Sequence, residues 1–135
     1  MRKVIILTLI QIACLLPMQR AFGGSLTIDT PSDGQNVTWR TEVKGSVAGA
    51  RNVWVIVHAM ERSDYWVQPK ATINKKGQWQ ANIYIGNETD TANIRDFEIK
   101  AISSPTEKIA EGQVLDIWPV GKLNSNVIKV FRNKP

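Results

Sequence analysis

The side chain best suited to acid–base chemistry is His58, the only histidine of the 135-residue sequence. Ser63 and Asp64 follow it, and a serine, a histidine and an aspartate can together form a nucleophilic triad. Such a triad needs its serine on a rigid turn beside oxyanion-stabilising N–H groups, and no nucleophile-elbow sequence surrounds Ser63. His58 lies in VWVIVHAM (53–60), which has the apolar character of a buried strand. We therefore predict no catalytic residue and expect His58 to be half-buried and hydrogen-bonded near a strand end.

Metal-ligating side chains are few. A single histidine, with the only cysteine in the N-terminal segment, cannot form a closed zinc site. The polar loop at 86–93 and the strand after it carry Glu88, Asp90 and Asp96, whose oxygens are weak candidates for calcium ligands. Their spacing matches no EF-hand, and a solvated acidic loop is the interpretation we favour. The sequence contains no phosphate-binding glycine loop or nucleotide fingerprint, so we predict no cofactor.

Aromatic side chains are the better candidates for ligand contacts. The chain has five tryptophans and two tyrosines, and a core of this size does not easily take five indoles. Trp54 shares a strand face with Ile56 and His58, and we expect it in the core together with Trp79 and Phe97. The remaining large aromatics are the ligand-binding candidates: Trp39, Tyr65, Trp66, Tyr84 and Trp118.

The sequence gives a specific reason to expect exposure for Tyr84 and for one residue of the pair Tyr65 and Trp66. Tyr65 and Trp66 are adjacent in a predicted strand, so their side chains point to opposite faces. Tyr84 lies on the polar face of its strand with Gln80 and Asn82. Exposed rings beside side-chain amides can form a platform for sugars or a surface for a protein. The alternative is that each ring covers an edge of the fold.

The N-terminal segment, residues 1–23, has the layout of a signal peptide. Arg2 and Lys3 precede a predominantly apolar run of thirteen residues (4–16), and small residues stand at 21 and 23. The apolar run is too short to cross a bilayer of ~30 Å as a helix. We predict cleavage after Gly23 and export to the periplasm, the cell surface or the medium, with no membrane span afterwards. The alternative is a retained membrane anchor.

Cleavage would remove three basic residues and no acid, which lowers the net charge from +5 to +2. A weak net charge argues against a nucleic-acid partner, which needs a clustered positive footprint. The basic residues left near the C-terminus are interpreted as a solvated chain end: Lys122, Lys129, Arg132 and Lys134. The segment also contains the only cysteine, so the processed chain has no disulfide. That composition favours a bacterial envelope or secreted protein.

From residue 24 to 135 the pattern predicts one all-β domain. TEVKGSV (41–47) alternates apolar and polar residues, and 71–85 reads as a hairpin with Gly77 in its turn. No stretch has sustained helical periodicity, although 103–113 could hold one helical turn. Seven or eight short strands with turn residues between them predict an antiparallel β-sandwich. The predicted strand segments are 26–30, 41–47, 53–60, 65–69, the hairpin 71–85, 95–102, 114–119 and 126–132.

The opening of this series follows an I-x-x-P-x-x-G-x-x-V pattern, a V-x-G strand and a G-x-W-x-A hairpin strand. The residues that match are Ile28, Pro31, Gly34, Val37, Val43, Gly45, Gly77, Trp79 and Ala81. Over residues 26–102 the chain thus resembles bacterial immunoglobulin-like domains of cell-surface and spore-germination proteins. The resemblance implies an immunoglobulin-like β-sandwich. It implies no particular activity, because such domains act as adhesive modules, spacers and binding modules. The stretch from Val114 onward does not match.

Three functions follow from these observations. The first is an exported, non-catalytic binding or adhesion module that presents aromatic rings to a protein or glycan of the cell envelope. The second is a structural subunit of an envelope assembly, with the apolar strands 53–60 and 126–131 buried against a partner. A small hydrolase dependent on His58 is a distant third. The sequence does not specify an oligomeric state.

Overall fold

The computed structural model describes residues 23–89 and 95–133. In these two ranges the chain forms strands and no helix, and thus has no helix that could cross a membrane. Residues 1–22 of the predicted signal peptide lie outside the described residues, and so do Asp90 and Lys134. Export and cleavage therefore stay predictions.

The described residues form eleven strands, more than the seven or eight expected. They are β1 (Ser25–Thr30), β2 (Asn36–Val37), β3 (Arg40–Ala48), β4 (Trp54–Ala59), β5 (Tyr65–Val67), β6 (Thr72–Ile73), β7 (Gln78–Tyr84), β8 (Asp96–Pro105), β9 (Val114–Leu115), β10 (Gly121–Asn124) and β11 (Ile128–Arg132).

The strands form two sheets that enclose a common core in a sandwich-like arrangement. The four-stranded sheet has the order β1-β3-β7-β6, and the seven-stranded sheet has the order β2-β11-β8-β4-β5-β9, with β10 also paired to β8. Only the short contact between β2 and β11 is parallel among the described pairings. Strict alternation of buried and exposed residues along β3 and β7 gives the smaller sheet one apolar face, as its sequence predicts.

The predicted hairpin at 71–85 is confirmed. β6 pairs antiparallel with β7, and Gly77 takes a φ of 76° in the turn between them. The N–H of Gln78 and that of Lys76 both donate to the side-chain oxygen of Asn74, which closes the turn. Trp79, the second residue of β7, is buried in the core as expected.

Trp54 is not in this core, and the prediction for it is wrong. Val55 and Val57 of β4 face the smaller sheet, whereas Trp54 and Ile56 point to the opposite side of the larger sheet. There the segment 106–120 covers them and forms a second apolar cluster. Because both faces of β4 are buried, its apolar run does not reveal which face meets the other sheet.

The C-terminal third departs furthest from expectation. The connection at 103–113 holds no helical turn, because β8 extends to Pro105. Of the strand predicted at 114–119 only two residues, Val114–Leu115, are extended, and they pair with β5 at the edge of the larger sheet. β10 was not predicted. β10 pairs with residues 102–105 of β8, and β11 pairs with residues 96–99 along the same edge of that strand.

Candidate functional site

The five aromatic candidates separate into two groups at different places in the fold. Trp66, Tyr84 and Trp39 lie around a cleft between β5 and the end of β7. Tyr65 and Trp118 lie on the outer face of the larger sheet, against His58. The division follows from the adjacency of Tyr65 and Trp66, whose side chains leave β5 in opposite directions as predicted.

Trp66 and Tyr84 of the first group line a cleft that we call the aromatic cleft, with a volume of about 150 Å³. Its polar and aromatic lining consists of Arg62, Trp66, Gln68, Tyr84, Asn87 and Arg132, over a floor of Val57, Ala59, Gly86 and Phe97. Trp66 is 45% exposed and Tyr84 is 40% exposed. Two large aromatic side chains from different sheets therefore face solvent at one concave site.

Gln68 fixes the two sides of the aromatic cleft relative to each other. It follows β5 in the chain and is buried, and its Oε1 accepts a hydrogen bond of 2.8 Å from the backbone N–H of Tyr84 in β7. The backbone N–H of Gln68 in turn donates to the carbonyl of Val55 in β4. A single buried amide thus joins the larger sheet to the smaller one directly beside Trp66 and Tyr84.

The Tyr84 ring is also held from its other side. The Trp39 ring packs against it at a centroid distance of 5.5 Å, and the Arg40 guanidinium lies 5.4 Å from its centroid. The N–H of Ile85 donates to the carbonyl of Trp39, which keeps the two segments in register. Trp39 is half-buried and does not line the cleft, so it supports Tyr84 and is not itself placed to contact a ligand there.

Arg132 lies at the base of the aromatic cleft, and its placement corrects the interpretation of the C-terminal basic residues as a solvated end. The side chain is 6% exposed. Its Nη1 donates to the carbonyl of Ile85 at 3.1 Å and its Nη2 to the carbonyl of Glu88 at 3.0 Å. The strand pattern IKVFR could have revealed this position, since Arg132 shares a face with Ile128 and Val130.

Gly86 allows the close approach of Arg132 to this loop. Its φ is 74°, a conformation that residues with a Cβ rarely adopt. A Cβ at this position would lie 3.1 Å from Nη1 of Arg132 and 3.1 Å from Cζ of Phe97. Glycine is therefore needed both for the backbone conformation and for the packing of the guanidinium.

The second group forms an aromatic stack over His58. The Tyr65 ring lies parallel to the imidazole at 4.1 Å, and Trp118 meets both rings edge-on, at 5.8 Å from His58 and 4.8 Å from Tyr65. Tyr65 and Trp118 are half-buried and pack against Ile56 and Ile102 as part of the second cluster. These two candidates serve the packing of segment 106–120, and the structure does not bring them to the aromatic cleft.

Both ring nitrogens of His58 are held by hydrogen-bond acceptors. Nδ1 lies 3.0 Å from Oε1 of Glu98, and Nε2 lies 2.7 Å from the carbonyl oxygen of Arg62. Within the described ranges neither Ser63 nor Asp64 hydrogen-bonds to the ring. Both ring nitrogens are directed at acceptor oxygens and neither at a serine hydroxyl, so the geometry gives the hydrolase hypothesis no support.

The calcium candidates do not converge in the part of the chain that the structure describes. Glu88 is exposed, and the Asp96 carboxylate lies 3.6 Å from Nζ of Lys129 at the start of β8. Among residues 23–89 and 95–133 no three acidic, histidine or cysteine side chains come together as a metal site would require.

Comparisons with known proteins assign no family. No protein-family profile matches the chain, and no curated protein sequence matches it. Among solved structures the chain is similar to part of an engineered protein, with 18% sequence identity and a TM-score of 0.48. The similarity covers 82% of this chain, which spans only 20% of the engineered one. Likeness at this level identifies neither a relative nor a function.

Proposed function

We propose that this chain is an exported, non-catalytic binding module and that the aromatic cleft is its ligand site. The observation that carries the proposal is the convergence of two exposed aromatic rings, Trp66 and Tyr84, on one concave site. Ligand sites are typically concave, with apolar and aromatic linings and a few polar groups that orient the ligand. The ligand is a glycan or a protein of the cell envelope.

The rigidity of the cleft supports this proposal. Tyr84 is positioned by Gln68, Trp39 and Arg40, so its ring needs little ordering when a ligand arrives. Aromatic side chains have few rotatable bonds and supply a large contact area at low entropic cost. The side-chain amide of Asn87 in the lining adds hydrogen-bonding groups beside the rings.

The strand order supports an immunoglobulin-like topology for the module. In immunoglobulin-like sandwiches one sheet has the order A-B-E-D and the other contains G, F and C. The orders β1-β3-β7-β6 and β11-β8-β4-β5 correspond to these two sheets if β1, β3 and β4 are strands A, B and C. This agrees with the sequence resemblance over 26–102. The outward-facing Trp54 departs from it, because strand C of antibody domains buries its tryptophan in the core.

The alternative function, a structural subunit of an envelope assembly, now depends on a different surface. On the outer face of 53–60, Trp54 and Ile56 are covered by the chain's own segment 106–120. That covering segment instead exposes Val114, Ile117 and Val120, with Ile117 71% and Val120 59% exposed. These three side chains are the specific observation that favours a partner subunit.

Retention of the purified chain on immobilised envelope polysaccharides and proteins tests the proposal. The substitutions W66A and Y84A should each weaken binding about 30-fold or more, as loss of an aromatic hot spot of about 2 kcal/mol implies. Thermal melts should show that both variants stay folded. I117A is the matched control and should bind normally. Unchanged retention of W66A and Y84A would overturn the proposal. If light scattering shows a smaller oligomer for I117A than for the unchanged chain, the structural-subunit alternative is favoured.

A further inference from the structure

We infer that the ligand of the aromatic cleft is acidic, and specifically a uronate-type sugar residue whose carboxylate lies against Arg132 and Arg62. This inference rests on the proposed binding function and deepens it. It is carried by the charge of the cleft, by the incomplete pairing of Arg132 and by the size and composition of the lining.

The charge of the lining is one-sided. Arg62 and Arg132 are the two charged side chains among the described residues that line the cleft, and no described aspartate or glutamate side chain lines it. Arg40 adds a third guanidinium behind the Tyr84 ring. Concave sites with charges of one sign attract ligands of the opposite sign, because the protein around them strengthens the field. An anionic ligand is therefore favoured.

Arg132 provides the specific anion-binding group. A guanidinium has five N–H donors, and the described contacts of Arg132 use two of them on backbone carbonyls. No carboxylate of residues 23–89 and 95–133 lies within 4.0 Å of this buried side chain. Burial of a charge is unfavourable unless an opposite charge and hydrogen bonds compensate it. A ligand carboxylate at the cleft would supply both, because guanidinium–carboxylate contacts are among the strongest hydrogen bonds in proteins.

The size and composition of the cleft favour a sugar over an acidic peptide. Its volume of about 150 Å³ is smaller than the ~300 Å³ of a site for a whole drug-sized molecule, so it takes one residue of a larger ligand. Trp66 and Tyr84 offer ring faces for the C–H groups of a sugar, and the side-chain amide of Asn87 suits its hydroxyls. The carboxylate of an aspartate or glutamate side chain would bind the arginines, but the side chain would leave the exposed rings of Trp66 and Tyr84 largely uncovered.

Isothermal titration calorimetry with polygalacturonate and with the neutral galactan made by reducing its carboxylates tests the inference. The chain should bind polygalacturonate at least about tenfold more tightly than the galactan, as loss of one charged hydrogen bond implies. Equal, W66A-sensitive binding of both polymers would overturn the acidic specificity and leave the proposed function intact. Equally tight binding of poly-L-glutamate would overturn the choice of a sugar. Absence of binding to polygalacturonate would overturn the inference, whatever other envelope ligand is retained.

Substitutions of single arginines test whether the preference for an acidic sugar arises in the aromatic cleft. R62Q should lower the affinity for polygalacturonate about tenfold and the affinity for the galactan by a smaller factor. Its fold should persist, because His58 contacts only the backbone carbonyl of Arg62. R51Q removes the same charge from an exposed residue outside the cleft and should change neither affinity. R132K keeps the charge and should still lose affinity, since lysine lacks the planar donor pair. Equal effects of R62Q and R51Q would overturn the inference.

Discussion

Gly45, in the middle of β3, gives the sharpest test of the core packing. It lies opposite Trp79 of β7, and a Cβ at residue 45 would lie 2.6 Å from Cζ2 of that indole and would collide with the backbone oxygen of Thr27 in β1. G45A must therefore displace either the buried indole or β1. Overpacking of a core costs about 1–3 kcal/mol, and each backbone hydrogen bond lost with β1 adds about 1 kcal/mol. We expect G45A to lower the free energy of unfolding by about 3 kcal/mol or more.

Thermal and urea unfolding of the purified chain measure this loss. For a domain of this size a loss of 3 kcal/mol corresponds to a fall in Tm of about 10–20 °C. G112A is the control, because Gly112 has a φ of 81° but nothing within 4 Å of the added Cβ. G112A should lower the free energy of unfolding by only ~1–2 kcal/mol, the cost of placing an alanine in the left-handed backbone conformation. If G45A is no less stable than G112A, the close packing of Trp79 on β3 is refuted.

Three further predictions concern the polar and aromatic contacts around the cleft. Q68L should lower the free energy of unfolding by about 1–3 kcal/mol in a urea titration, because it leaves the N–H of Tyr84 without an acceptor; equal stability of Q68L and the unchanged chain would refute this bridge. H58F removes the hydrogen-bond donor to Glu98. Because the Glu98 side chain is 29% exposed, we expect the free energy of unfolding to fall by only about 1 kcal/mol. Thermal melts measure this change, and an unchanged Tm would contradict the contact. W118A should cost about 2 kcal/mol, since the indole is only half-buried, while ligand retention by the aromatic cleft stays normal. Loss of retention in W118A would mean that the two aromatic groups act together.

Local patterns in the sequence were sufficient to predict the strands of the smaller sheet. β3 and the β6–β7 hairpin have one exposed and one buried face, so two-residue alternation identifies both the strands and their inward residues. Gly77 marks the turn because few other residues adopt its backbone conformation. Exposure of Tyr84 followed from the same alternation and is confirmed.

The larger sheet could not be predicted to the same extent, because its central strands are buried on both faces. Trp54 was assigned to the wrong face for this reason, and the covering segment 106–120 has neither alternation nor helical periodicity to reveal it. Arg132 was missed because a basic residue near a chain end is usually solvated. Its burial depends on the loop at 85–88, whose carbonyls become its partners only in the folded protein.

The bridge from Gln68 to the backbone of Tyr84 has a consequence for how fast a complex forms and how long it lasts. A recess whose opposing sides are tied together cannot widen without breaking that bond, so the proposed ligand should enter without an opening step. Encounter rates should then differ little among molecules that fit, and selectivity should reside in their dissociation rates.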